Sequence, residues 1–216
     1  ELPGTWQWIG THTARFDARL DECGGLVLLE EQDRTRWNTA AIERGLEHLT
    51  LSARGSAVSR YHALAGIAAA HTLAPSYAET DWEAVVRLYD TLERIAPSPL
   101  NVLNRAIAIA EWKGPDAALT ELDALAAPSW LQDYYLWDAT LGELHRRCGH
   151  REQAAFHTRR ALEAAPTNPE RALLERRLRA LGEGGKKQII ENVQVVSSRR
   201  SSSEPALCGP HHRRPP

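Results

Sequence analysis

The chain has 216 residues, 43% hydrophobic and 25% charged, with a formal net charge of −2; this is a globular composition, with enough chain to bury a substantial core. No apolar run approaches the ~20 residues that a membrane-spanning helix needs, which excludes that class. The charge is uneven, with 19 Arg and one Lys against 25 acids in residues 1–182, and four Arg and two Lys against three acids in residues 183–216. An acidic body is a poor match for a phosphate backbone, so it is not expected to contact DNA directly.

Residues 1–31 are the least regular. Asp21, Gly24 and Gly25 mark a turn. The apolar run Leu26-Val27-Leu28-Leu29 that follows suits either a strand or an extended segment packed on helices. Glu30, Glu31 and Asp33 precede Arg34, Arg36 and Trp37. An acid–base pair beside an aromatic platform is one reading of these; a salt-bridged lead-in with arginine over the indole is favoured, since no nucleophile or base lies nearby.

From Asn38 the period is helical. Asn38 or Thr39 caps a helix to about Leu51, and an Ala-rich helix from Ser59 to about Leu73 ends at Pro75. Asp81 caps a third, in which Val85, Leu88, Leu92 and Ile95 share a face. A fourth runs from Leu100 to Trp112, with Leu103 and Ile107 facing inward, and stops at Gly114. Pro115 opens a fifth, which Pro128 ends. A sixth spans about Trp130 to Cys148 before Gly149, a seventh Glu152 to Ala165, and an eighth Pro169 to Leu181.

The spacing says more than the number of helices. Gly114 and Gly149 are 35 apart, and Pro97 and Pro166 are about two such periods apart. A helix-turn-helix period near 34 is that of the tetratricopeptide repeat (TPR). Leu141-Gly142, Gly149, Ala154, Ala161 and Pro166 fit one unit well; Asp81-Trp82, Tyr89 and Pro97, then Leu103 and Gly114, fit two degenerate ones. The expected fold is all-α: an irregular segment over 1–31, a right-handed superhelical array of antiparallel TPR-like helix pairs over 32–182, and a tail over 183–216. High Ser, Pro and charge without helical period predict disorder in that tail, which is read as a non-native extension rather than a basic interaction arm.

Chemical motifs are missing from the sequence. It holds neither GxGxxG nor GxxxxGK[ST], no GxSxG elbow, no HExxH and no EF-hand loop, so neither an enzyme nor a cofactor is expected. His145, Cys148, His150 and His157 make a metal site conceivable, but the spacing follows no standard zinc pattern; a last-turn histidine suiting the helix dipole is the favoured reading, and no metal is expected. His71 is expected to be a packed, hydrogen-bonded histidine. Cys23, Cys148 and Cys208 form no CxxC, and an odd, sparse set fits a reducing compartment.

Five stretches then carry a resemblance: Leu26-Val-Leu-Leu-Glu-Glu-Gln-Asp-Arg-Thr-Arg-Trp37, Tyr61-His-Ala-Leu-Ala-Gly-Ile-Ala-Ala-Ala-His71, Thr80-Asp-Trp82, Leu88-Tyr-Asp90 and Pro97-Ser-Pro-Leu-Asn-Val-Leu-Asn-Arg-Ala106. In that order they resemble the C-terminal TPR-like extension of a group of extracytoplasmic-function (ECF) RNA polymerase sigma factors, over about residues 14–182. Residues 1–12, the stretch 52–59 and the tail depart from the pattern, and neither the promoter-reading nor the polymerase-binding regions are in this chain. The resemblance implies a cytoplasmic bacterial regulatory domain that modulates transcription initiation by contacting sigma regions or polymerase. Because methionine is absent, the chain is expected to continue a longer one, with the sigma regions before Glu1.

In the repeat register, Asn101, Asn104, Glu111, Trp112, Glu143, Arg146 and Arg147 are expected to face a concave partner-binding groove. Arg105 joins them as a motif position, although a hydrogen bond from Asn104 to a neighbouring helix and pairing of Arg105 with a surface acid are equal readings. Asp33, Arg34, Trp37, Asp81, Trp82 and Tyr89 are expected to be structural. Two alternatives remain open: a free-standing TPR-type scaffold for another partner, and a small-ligand sensor with a pocket lined by Trp82, Tyr89, Trp112 and Trp137.

Overall fold

The structure is a computed structural model and describes residues 14–52 and 58–182. The helices are α1 (Thr39–Ser52), α2 (Arg60–Leu73), α3 (Trp82–Ile95), α4 (Pro99–Trp112), α5 (Pro115–Asp123), α6 (Ser129–Gln132), α7 (Tyr135–Arg147), α8 (Arg151–Ala164) and α9 (168–182). Among the described residues the β structure is a single isolated antiparallel bridge, Leu20 to Leu26. The chain divides into two compact units, Glu1–Leu178 and Arg179–Pro216, and the described part of the second is residues 179–182. The expected tail lies outside the described residues.

Local chemistry sets the helix starts. The Asp81 carboxylate accepts from the Ala84 N–H at 2.8 Å, capping α3. Ser98 caps α4 and Pro99 occupies its first turn, where the missing N–H costs nothing. At Ser59, the backbone N–H donates to His62 Nδ1 at 3.1 Å, so histidine does the work Glu or Gln does in a capping box. Gly114 and Gly149 turn the chain with φ of 96° and 79°, a region that only glycine enters cheaply. They stand at the same place in successive helix pairs.

Helices α2 with α3, α4 with α5, and α7 with α8 pack as consecutive pairs. Small residues let each pair close. A Cβ on Gly142 would stand 2.8 Å from Thr158 Oγ1 and 3.2 Å from the Thr158 backbone nitrogen, so α7 meets α8 almost backbone to backbone. Ala154 and Ala161 of α8 are fully buried beside it, and Ala106 and Ala118 are fully buried in the preceding pair. Leu103, Leu131 and Val85 are the largest fully buried side chains of the main core, while Ala161, Ala165 and Leu174 form a smaller one beneath α9.

Two boundaries differ from the sequence expectation. The fifth helix ends at Asp123, well before Pro128: the chain turns at Ala124 and Leu125, whose N–H groups bond back to the Thr120 and Leu122 carbonyls, and Pro128 instead precedes the next helical turn. The sixth is broken into α6 and α7 at Asp133-Tyr134, where Tyr134 is extended (ψ 119°). No proline or glycine announces this step. It seats fully buried Leu131 in the core.

The region before α1 is held differently. The Asp21 carboxylate accepts from the backbone N–H of Cys23 (2.9 Å) and Gly25 (2.7 Å), building the expected turn. Leu26 pairs with Leu20 in the isolated bridge, and the chain turns again at Leu28–Glu31, where the Glu31 N–H donates to the Leu28 carbonyl at 2.9 Å, so the apolar run is neither a full strand nor an extended segment throughout. Arg34 lies 4.5 Å over the buried Trp37 ring and donates to the carbonyls of His71 (2.9 Å) and Ala74 (2.7 Å), capping the C-terminal end of α2. The stacking of arginine over the indole is therefore present, but the expected salt bridge is replaced by bonds to backbone and hydroxyl groups: Arg34 takes the two carbonyls, and Asp33 turns its carboxylate to the Thr35 N–H and hydroxyl.

Candidate functional site: a concave groove

One face of the array is concave and encloses about 620 Å³. Its walls come from α2 (His71), α4 (Asn104, Ile107, Glu111), α7 (Tyr135, Glu143, Arg146, Arg147) and α9 (Glu170, Leu173, Arg177), with Trp82, Val85 and Tyr89 of α3 at one end. Leu26, Leu28, Leu29 and Glu30, before α1, form a further wall. Helices α4, α7 and α9 follow one another at one-period intervals, so equivalent positions come into register along the groove.

That register is visible in its polar bonds. Arg147 pairs with Glu111, 36 positions earlier, and donates to the Ala110 carbonyl at 3.1 Å. The Tyr135 hydroxyl donates to Glu170, 35 positions later, at 2.9 Å. Arg177 of α9 lies 3.7 Å from Glu143 of α7. Glu143 also holds Arg146 of its own helix through bonds of 2.6 and 3.0 Å, and these raise the guanidinium above its ordinary value. Partly shielded charge pairs of this kind fix the spacing of adjacent helices more than they stabilise the fold.

The aromatic end is drier. Trp82 meets His71 and Tyr77 edge-on at ring separations of 5.2 and 4.9 Å. Burial, with the charges of Arg15 and Arg34 added, brings His71 down to about 4, so its imidazole is neutral at pH 7. Burial pushes the Tyr89 phenol up to about 12. The Tyr77 phenol is raised by burial first and then by the Glu111 and Glu30 carboxylates, the former through a hydrogen bond. The Tyr135 phenol is raised by burial and by its bond to Glu170. These groups serve as hydrogen-bond donors and apolar surface, and none is poised as an acid or base.

The groove contains Asn104, Glu111, Glu143, Arg146 and Arg147 of the residues assigned to it from the repeat register, and three others lie elsewhere. Asn101 donates to the Ala96 carbonyl at 2.9 Å, tying α4 to the end of α3. Arg105 binds Asp90 at 2.7 Å and also pairs with Glu121, bracing α3 and α5 against α4, which is the surface-pairing reading. Trp112 is exposed, with the Lys113 ammonium 4.0 Å over its ring. Ile107, expected on the inner face, stands on the groove wall with 39% exposure. Trp82 and Tyr89 line the groove, whereas Trp137 packs against the core.

Sequence reasoning missed Tyr77, Tyr135, Glu170 and Arg177. A usable signal was present: Glu111/Arg147, Glu143/Arg177 and Tyr135/Glu170 are complementary pairs one repeat apart. The imidazoles of His145, His150 and His157 do gather on α7 and α8. His145 stacks on His157 at 5.5 Å, its Nδ1 lies 3.2 Å from that of His150, and His157 bonds to the buried Asp138 at 2.7 Å. Among the described residues, no three or more His, Cys, Asp or Glu side chains are placed to hold a metal ion. Cys23 and Cys148 are free thiols. No described helix is long and apolar enough to cross a membrane.

Comparison with known proteins adds two similarities. Residues 9–53 match a family of unknown function, DUF6596. An uncharacterized protein of Rhizobium meliloti (strain 1021) is 35% identical over 178 residues, which make up 82% of this chain and 42% of that relative. The chain thus spans less than half the length of the relative it matches. No solved structure matches.

Proposed function

We propose that this helical array is a peptide-docking regulatory domain of an ECF-type sigma factor, acting in the cytoplasm on transcription initiation through contacts with sigma regions or polymerase. The observation that carries the reading is the groove, whose wall leaves Ile107 39% exposed within a space of about 620 Å³ lined by successive first helices. Helix-pair repeats use such a surface to hold an extended segment. The sequence resemblance supplies the sigma context, and the match to a relative more than twice as long as the shared stretch is in keeping with a part of a larger chain.

The test is capture of separately expressed sigma regions by the immobilised 216-residue chain. Capture is expected, and Ile107→Arg, which places a charge on the groove wall, is expected to weaken it at least tenfold. Phe156→Arg, at a 53% exposed position of α8 outside the groove lining, is the control. Equal capture by the two variants refutes groove docking, and absence of capture refutes the partner.

The aromatic residues give a second reading specific support, because Trp82, Tyr77, His71 and Tyr89 line the groove together. A small-ligand sensor predicts a rise in melting temperature with an aromatic or apolar compound, lost in Trp82→Ala.

A further inference from the structure

We propose that Arg15, Arg19 and Arg34, gathered about the buried Trp37 ring, form a docking site separate from the groove, one that takes adjacent carboxylates on an acidic segment of a partner protein. None of these four residues lines the groove, so the inference stands apart from the groove-docking reading and from the sigma partner.

Three observations carry it. The first is crowded charge. Arg34 stands 4.5 Å and Arg15 5.9 Å over the same Trp37 ring, and Arg19 lies 5.8 Å over Phe16, the residue next to Arg15. Arg15 is held below the ordinary guanidinium value by burial first and then by the charges of Arg19 and Arg34. Arg15 and Arg34 act together on His71 as well.

The second is the missing counter-charge. Among the described residues no carboxylate forms an ion pair with Arg15, Arg19 or Arg34. Asp17, between Arg15 and Arg19, takes Arg36 on its backbone carbonyl. Asp21 and Asp33 hold turns, Glu31 accepts from the Leu28 N–H at 3.2 Å, and Glu30 acts on Arg146 and Tyr77. Glu79, whose charge acts on Arg34, accepts the Ser76 hydroxyl at 2.6 Å.

The third is a set of donors left over. Arg34 spends Nη1 on the His71 and Ala74 carbonyls, while its Nη2 is buried without a partner. So is the indole N–H of Trp37, a residue only 5% exposed. Buried donors are rarely left unmade, and an anion is the acceptor that Arg15, the Arg34 Nη2 group and the indole N–H all lack. Arg19 is exposed and Arg15 half-buried, so the cluster is reached from solvent.

The chemistry selects the occupant. A planar guanidinium fork matches a carboxylate, and its weak hydration favours pairing beside an indole. A nucleic acid is disfavoured, because residues 1–182 carry 20 bases against 25 acids and repel a phosphate backbone away from the cluster. A short acidic segment meets the cluster alone. Its contacts are with Arg19 and Arg15, and Arg34, pinned to the end of α2, is the fixed positive charge behind them.

The experiment measures fluorescence anisotropy of a rhodamine-labelled peptide, Gly-Glu-Asp-Glu-Asp-Gly, titrated with the full 216-residue chain. Binding is expected, weakening about tenfold between roughly 50 and 300 mM salt. Arg15→Gln/Arg19→Gln is expected to weaken it about tenfold at the lower salt. Arg87→Gln/Arg94→Gln removes equal charge from exposed positions of α3 and is expected to leave binding unchanged. Circular dichroism checks that the variants keep their helices; if the first pair does not, Arg19→Gln alone is expected to weaken binding about threefold. No binding by the wild type overturns the proposal, and so do equal losses in the two double variants, which would reduce the effect to net charge. Tighter binding of a labelled oligothymidylate of the same charge would also overturn it, assigning the cluster to nucleic acid. Ile107→Arg leaves the cluster intact and is expected to bind the peptide as the wild type does; a loss there would place the peptide in the groove and remove the separate site.

Discussion

The paired helices α7 and α8 and the lead segment before α1 solve the same problem, fixing a chain against its neighbours, by opposite means. In the pair, the contact is made by missing atoms: Gly142, Ala154 and Ala161 let two backbones approach, and the resulting interface is continuous. In the lead segment, a few polar side chains do the fixing. Asp21 and Asp33 build turns from their own backbone, and Arg34 crosses to the end of α2. A close-packed interface fails as a whole when one atom is added, whereas a set of discrete bonds fails piece by piece.

The most disruptive test of that contrast is Gly142→Val. Even the first carbon added at this position stands 3.2 Å from the Thr158 backbone nitrogen, which cannot swing aside as a side chain end can. Separating α7 from α8 is expected to cost about 3 kcal/mol or more, read as a lower denaturation midpoint. An undiminished midpoint would mean that the pair is loosely packed.

His71 probes the junction between the two regions, because it lines the groove from α2 while its carbonyl takes a bond from Arg34. Its folded value near 4 lies below the ordinary 6.5, so between these values the unfolded chain binds the proton that the folded one refuses. The stabilising contribution is complete above pH 6.5 and is lost as pH falls toward 4. The expected loss is about 2 kcal/mol between pH 6.5 and 4.5, measured as the difference in pH slope between wild type and His71→Gln. Parallel slopes would show that the imidazole is solvated in the folded chain.

Arg34→Met isolates the crossing bonds while keeping apolar contact with Trp37. Loss of two charge-assisted hydrogen bonds is expected to cost about 1.5 kcal/mol. Faster amide exchange should appear in the last turn of α2 and in the lead segment, with α7 and α8 unaffected. Exchange that rises uniformly would make the lead segment part of the same cooperative unit as the repeats.

The same division explains what could be read from sequence. Helix starts at Asp81 and Pro115 were legible because each depends on a residue type acting over one turn. The repeat was legible because Gly114 and Gly149 recur in phase. The break at Tyr134 was not, since it follows from seating Leu131 in a core assembled from distant residues. Of the groove residues, Glu111 and Arg147 were each identified, but their pairing needed the superposition of successive repeats. Arg105 shows the limit of motif reasoning, because a conspicuous side chain beside the groove turned out to brace α3, α4 and α5.

The smallest expected effects come from placing one substitution in both regions. Asp81 and Asp33 do the same chemistry, each carboxylate accepting a backbone N–H at the start of a helical turn, at 2.8 and 2.9 Å. What they support differs. Asp81 begins a 14-residue helix whose Val85, Val86 and Leu92 are buried, so Asp81→Ala is expected to lower global stability by about 1 kcal/mol. Asp33 begins a three-residue 3₁₀ turn with no buried residue of its own. Asp33→Ala is therefore expected to leave the denaturation midpoint unchanged while speeding exchange of the Arg36 and Trp37 amides, which bond back to Asp33 and Arg34. Because the bonds from Thr35 hold the Asp33 carboxyl below its ordinary range, acid should mimic the substitution only once pH falls through that lowered value. A midpoint that drops equally in the two variants would place the lead turn inside the cooperative core.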